Sequence, residues 1–84
     1  MTYRLEFLPS ATKEWEKLGA GIRQQFVKKL RERLEHSRAP SAALHPMPDH
    51  YKIKLRQVGY RLVYRVNDAA IVVLVIALGK REGG

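Results

Sequence analysis

The chain has 84 residues, no cysteine, and sixteen Lys and Arg against eight Asp and Glu, a net charge of +8. That length allows one domain, residues 1–84, around a single small core, and the lack of cysteine excludes disulfides and cysteine-ligated zinc and fits a reducing cytoplasm. Charges from Arg4 to Lys17 exclude a signal peptide, and the longest apolar run, Ala69 to Leu78, is half of what a membrane span needs.

Thr2 to Leu8 alternates Tyr3, Leu5 and Phe7 with Arg4 and Glu6, which predicts a first strand. Pro9-Ser10 ends it, with Ser10 as the expected N-cap of a short helix carrying Ala11, Trp15 and Leu18. Gly19-Ala20-Gly21 breaks that helix. Ile22, Phe26, Leu30 and Leu34 then recur every four residues, predicting a longer second helix. Its exposed side is read as Lys28, Lys29, Arg31 and Arg33, relieved by Glu32 and Glu35. Three prolines between residues 37 and 50 predict a loop.

The most informative stretch follows. Tyr51, Ile53 and Leu55 alternate with Lys52, Lys54 and Arg56; after Gln57-Val58-Gly59, Tyr60, Leu62, Tyr64 and Val66 alternate with Arg61, Val63 and Arg65. This is the period of a hairpin buried on one face, with strands over 51–56 and 60–66. Leu55 pairs with Leu62 or, two residues away, with Tyr60; both registers preserve facing and leave Lys54 and Arg61 on one side. Asn67-Asp68 marks a turn. Ile71 to Leu78 reads as an inner strand covered on both faces, and Gly79-Lys80-Arg81-Glu82 is expected to leave the sheet. The order is β-α-α-β-β-β, an α+β fold with two helices on one face of a mainly antiparallel four-stranded sheet.

Residues 51–66 hold five cations and no anion. An ordinary solvated face mixes signs, because like charges across a sheet repel. A one-sign ridge therefore suggests a phosphate-rich partner. The imbalance is steepest in residues 51–84, with seven basic residues and two acidic, against nine and six in residues 1–50. From the pattern alone, a solvated or binding surface is as good a reading as a catalytic one. Tyr60, Tyr64 and Trp15 are read as core. His36, His45 and His50 have no spacing that suggests a catalytic pair.

The chain resembles the RelE-type toxins of bacterial toxin–antitoxin modules. The resemblance rests on Lys13-Glu14-Trp15, Lys17-Leu18-Gly19 and Met47-Pro48-Asp49. It rests most densely on Tyr51-Lys52-Ile53-Lys54-Leu55-Arg56, Gly59-Tyr60-Arg61-Leu62-Val63-Tyr64 and Gly79-Lys80-Arg81-Glu82. It implies a cytoplasmic, ribosome-dependent endoribonuclease that enters the ribosomal A site and cuts messenger RNA without metal or cofactor, inhibited by a RelB-like antitoxin. The attacking ribose 2′-oxygen would leave a 2′,3′-cyclic phosphate and a 5′-hydroxyl. The family's basic active-site residues carry over onto Lys52, Lys54, Arg61 and Arg81. Arg56, Arg65, Lys80 and His45 are further candidates for RNA contact. Family members continue past Gly-Lys-Arg-Glu into a helical segment with a tyrosine for stacking or catalysis. The sequence here stops at Gly84, so an attenuated activity is expected. The alternative is a toxin-fold binding module without RNase chemistry, of the ParE type, or a basic RNA-binding domain.

Such a cleavage needs a base for the 2′ proton, cations for the crowded phosphorane and help for the leaving 5′-oxygen. Lys54 is the candidate base: Lys52, Arg56 and Arg61 disfavour its ammonium form, and bound phosphate opposes them. Arg61 suits phosphate binding and the transition state, because guanidinium is planar, bidentate and always charged. Arg81 is expected to help the leaving group electrostatically. Lys52 holds a phosphate or tunes Lys54.

Overall fold

A computed structural model describes residues 2–80. The elements are β1 (Arg4–Phe7), α1 (Pro9–Lys17), α2 (Ala20–Glu35), a 3-10 turn (Pro40–Ala42), β2 (His50–Leu55), β3 (Tyr60–Asn67) and β4 (Val72–Lys80). The sheet order is β1-β4-β3-β2, with β1 parallel to β4 and the other pairs antiparallel. The expected α+β architecture and mainly antiparallel sheet are both present.

Several boundaries differ from the sequence reading, each for a local reason. Helix α1 starts at Pro9, not after Ser10: Leu8 is the extended N-cap, and proline's fixed φ suits the first helical position. The interhelical break is confined to Leu18 and Gly19, which are both extended, so Ala20 and Gly21 already belong to α2. The 37–50 loop carries the 3-10 turn and pairs with β2 through an isolated Ala43–Tyr51 bridge. Gly79 and Lys80 stay in the sheet, opposite Arg61 and Tyr60, because β3 extends far enough to partner them. Ile71 is outside β4, in a left-handed turn conformation at φ 57°.

The hairpin register resolves to Leu55 opposite Tyr60. The connection closes through Gly59, whose N–H donates to the Leu55 carbonyl at 2.9 Å and whose φ is 73°. Glycine takes that conformation without the clash a Cβ would meet. A bulge at Ile76 separates the Val63–Ala77 and Tyr64–Val75 pairs. One strand therefore faces the core through Val73 and Val75, and again through Leu78, with a change of parity between them.

The core lies between the helices and one face of the sheet. Phe26, Leu30, Ala11 and Leu18 pack from the helix side against Ile53, Leu55, Leu62, Tyr64, Val73, Val75 and Leu78. Trp15 is half-buried, between Phe7 at 5.2 Å and Phe26 at 6.2 Å, as expected of a helix-packing aromatic. Tyr64 is fully buried and Tyr60 half-buried. The expectation that the last strand is covered on both faces fails. Both helices lie on the first face; on the second, Val72 is buried, Leu74 and Ile76 are half-buried and Ala77 is exposed. That open face carries the cations.

Candidate active site

Alternation along β2 and β3 sends Tyr51, Ile53, Leu55, Leu62 and Tyr64 into the core. It leaves Lys52, Lys54, Arg61 and Arg65 for the open face. Register then sets the rows. Lys54 stands directly opposite Arg61, which in turn stands opposite Gly79. Directly opposed residues have Cβ atoms about 5 Å apart. Lys52 faces Val63 and Ala77 in the next row, and His50 faces Arg65 and Leu74 in the third. Lys52 and Lys54 are half-buried, while Arg61 and Arg65 are exposed. At Gly79 an added Cβ would meet nothing within 4 Å, so the Lys54–Arg61 row opens onto bare backbone.

No carboxylate lies in these rows on β2 or β3. Among the described residues Arg61, Arg65 and Lys52 enter no salt bridge, the ion pairs being Arg4–Glu6, Lys17–Glu14 and Arg38 with Asp49 and Asp68. Facing like charges cost stability, and a bound phosphate would turn that cost into attraction.

Beneath the site, Arg33 reaches from α2. Its Nη1 donates to the Tyr64 hydroxyl at 2.9 Å and to the Lys52 carbonyl at 3.2 Å. Tyr64 donates to the Ser37 carbonyl at 2.7 Å and stacks on Tyr51, its cross-strand neighbour, with centroids 5.5 Å apart. Burial pushes the Tyr64 phenol up, and Arg33 only partly opposes it. Tyr64 therefore stays protonated and works as a donor. The sequence reading placed Arg33 on the exposed side of the helix, yet it is half-buried. Its position seven residues after Phe26 and three after Leu30 was the available signal, since that spacing returns to the apolar face.

The other candidates scatter. Arg56 is exposed in the turn beyond β2, next to the Lys54–Arg61 row. Lys80 stands opposite Tyr60, which stands opposite Leu55, so it belongs to the helix-bearing face and not to the cationic one. His45 is exposed just past Leu44, whose N–H bonds the His50 carbonyl at 2.9 Å, at the far end of β2 from Lys54. Arg81 lies outside the described residues. The described residues contain no group of three His, Asp or Glu able to hold a metal, and no helix long and apolar enough to cross a membrane. A shallow hollow of about 240 Å³, lined by Gln25, Lys28, Lys29, Glu32 and Leu55, sits on the helix side and is not part of the cationic face.

This fold and sequence match known toxins. The family described as "ParE toxin of type II toxin-antitoxin system, parDE" matches residues 5–83. The chain is 56% identical over 82 residues to the mRNA interferase toxin RelE of Escherichia coli K12, covering 98% of this chain and 86% of that protein. The same identity and coverage hold for mRNA interferase RelE of Shigella flexneri. The crystal structure of isolated E. coli RelE superposes with a TM-score of 0.94 at 54% identity, over 98% of this chain and 87% of that one. RelE within the intact E. coli RelBE toxin–antitoxin complex gives 0.92 at 55% identity, over 95% and 98%. The chain belongs to this family of type II toxin–antitoxin toxins, and within it to the RelE type.

Proposed function

We propose that this chain is a ribosome-dependent mRNA interferase, the toxin of a RelBE-like pair acting in the cytoplasm as one domain. The observation that carries the reading is the Lys54–Arg61 pair, directly opposed on a cationic sheet face, in a chain 56% identical to a protein named mRNA interferase toxin.

The proposed step is a transesterification that balances within the RNA. The 2′-oxygen forms a new bond to the adjacent phosphorus, and the bond from phosphorus to the 5′-oxygen breaks. One proton leaves the 2′-hydroxyl and one arrives on the 5′-oxygen. In this reading Lys54 takes the first proton, and Arg61 holds the non-bridging phosphate oxygens as charge builds on them. Lys52, one row away, holds a flanking phosphate. Arg81 follows Lys80 in the sequence, and its proposed role is to stabilise the leaving oxygen. Arg56 flanks the same end and is assigned to RNA contact. Lys80 and His45 are assigned to contacts with the ribosome, because neither shares the row of the chemistry.

A RelB-like antitoxin is the proposed partner, since E. coli RelE is solved in the intact RelBE complex and a double mutant of it with a RelB peptide. A ParE-type binding module is the second reading, favoured by the description of the matching family. The Lys54–Arg61 row favours the nuclease.

The deciding experiment is single-turnover cleavage of a messenger on a programmed ribosome, beside an Arg61→Ala variant and a ribosome-free control. Cleavage confined to the A-site codon and slowed by about 10²-fold in Arg61→Ala is expected, the usual weight of one transition-state donor. Folded protein that binds the ribosome without cutting would favour the binding module.

A further inference from the structure

Beyond the reacting row, the open face continues along the strands. Residues two apart on a strand share a face and lie about 6.8 Å apart. From Lys54 and Arg61 this periodicity leads to Lys52, and then to His50 and Arg65, which are directly opposed. The cationic rungs thus run along β2 and β3 in one line, at a step close to one nucleotide of an extended single strand.

The His50–Arg65 rung has the marks of a ligand site. Arg65 is exposed and makes no ion pair among the described residues. His50 Nδ1 lies 2.7 Å from the Pro48 carbonyl. A carbonyl can only accept, so Nδ1 carries the proton and Nε2 of the neutral ring is an acceptor, suited to a ribose hydroxyl and not to a phosphate oxygen. Two carboxylates at this end of the sheet could have neutralised the rung, but Arg38 engages both, Asp49 at 2.9 Å and Asp68 at 2.8 Å. Arg38 also bonds the Tyr51 hydroxyl, on the core face. In the Arg65 row the next carboxylate is Glu6 on β1, across the whole width of β4 and paired with Arg4. Among the described residues, no carboxylate pairs with Arg65.

We infer that His50 and Arg65 form a second messenger subsite, in which Arg65 holds the backbone phosphate roughly two nucleotides from the scissile one on a single-stranded RNA and His50 Nε2 accepts from the adjoining ribose hydroxyl. This rests on the nuclease reading above and adds which part of the messenger the toxin grips. Tyr51, Tyr60 and Tyr64 all share the helix-bearing face, so this track offers no tyrosine, phenylalanine or tryptophan for a base to stack on. The subsite therefore reads the sugar–phosphate backbone and not bases, and it leaves codon preference alone.

The test uses the full chain with Arg65→Ala, Arg65→Lys and His50→Gln. On the programmed ribosome, Arg65→Ala is expected to raise the half-saturating concentration for cleavage about fivefold with the plateau rate retained, the weight of one solvent-screened phosphate contact. Arg61→Ala lowers the plateau instead. Arg65→Lys restores most of the loss, His50→Gln gives a smaller one, and the distribution of cleaved codons is unchanged in all three. A second measurement needs no cleavage: binding of a short, uncleavable 2′-O-methyl oligonucleotide against salt. Its logarithmic salt slope should fall by about 0.7 in Arg65→Ala, one phosphate on a single strand. Should the wild type fail to cut, the nuclease reading falls, while this slope still decides the track. An unchanged slope overturns the subsite, as does an effect seen only with duplex RNA, which would assign Arg65 to ribosomal RNA. A lowered plateau in Arg65→Ala would overturn it too, by placing the residue in the chemistry.

Discussion

The two ends of the β2–β3 ladder handle charge in opposite ways. At one end Arg38 binds Asp49 and Asp68, and the Tyr3 hydroxyl also donates to Asp68. At the other end Lys54 faces Arg61 across the strands with Gly79 beyond. The first end is a clasp: it ties the segment after α2, the approach to β2, the β3–β4 turn and the residue before β1 into one corner. One cation there is shared by two carboxylates, so its charge is met within the chain. The second end sets like charges side by side, and Arg61 enters no ion pair among the described residues. The contrast separates a cation that holds the fold together from cations arrayed on the open sheet face.

The sharpest way to break this contrast is to remove the support they share. Tyr64→Phe deletes a buried hydroxyl that accepts from Arg33 and donates to Ser37, leaving the Ser37 carbonyl without that donor and Arg33 with one bond fewer. A loss of about 1–3 kcal/mol in urea-unfolding stability is expected. Because Arg33 keeps its bond to the Lys52 carbonyl, cleavage by the folded fraction should change little.

Disabling the clasp comes next. Arg38→Met should cost about 1 kcal/mol, since its ion pairs are partly exposed and screened by solvent. Cleavage at saturating ribosome should be unaffected. The clasp also predicts a pH signature. The Tyr3 hydroxyl, and then Arg38, hold the Asp68 carboxyl below its ordinary value of 3.8. A carboxyl depressed on folding contributes stability that is present above its unfolded pKa and lost as pH falls through the folded one. The urea midpoints of wild type and Asp68→Asn should therefore differ at pH 7 and converge below about pH 3.8. Persistence of the gap in acid would show that packing, not charge, ties that corner.

The smallest effect has the opposite sign. Arg61→Gln relieves the repulsion from Lys54 and should stabilise the fold by about 0.2–0.5 kcal/mol at low salt, fading at high salt. A destabilised variant would mean that Arg61 serves the fold after all.

Most of the architecture was legible along the chain, because alternation and helical spacing are local stereochemistry. The strands carrying Lys52, Lys54 and Arg61, the two helices and the cationic face followed from which residues alternate. Boundaries were missed where backbone geometry overrode a side-chain signal, as when Pro9 opened α1 ahead of Ser10. Lys80 was grouped with the other cations because charge was visible in the sequence while its pairing with Tyr60 was not. Arg33 passed for a solvated residue, since nothing near it in sequence reveals a tyrosine thirty-one positions away.

By itself the sequence determined parity: which side chains share a face, and hence that one face would be cationic. Only the tertiary structure decided who stands opposite whom. Two registers differing by two residues keep the same parity, so composition and alternation treat them alike. The turn closed by Gly59 chose between them, setting Leu55 against Tyr60 and therefore Lys54 against Arg61. Pairing across strands depends on loop closure and long-range packing, which no local pattern encodes.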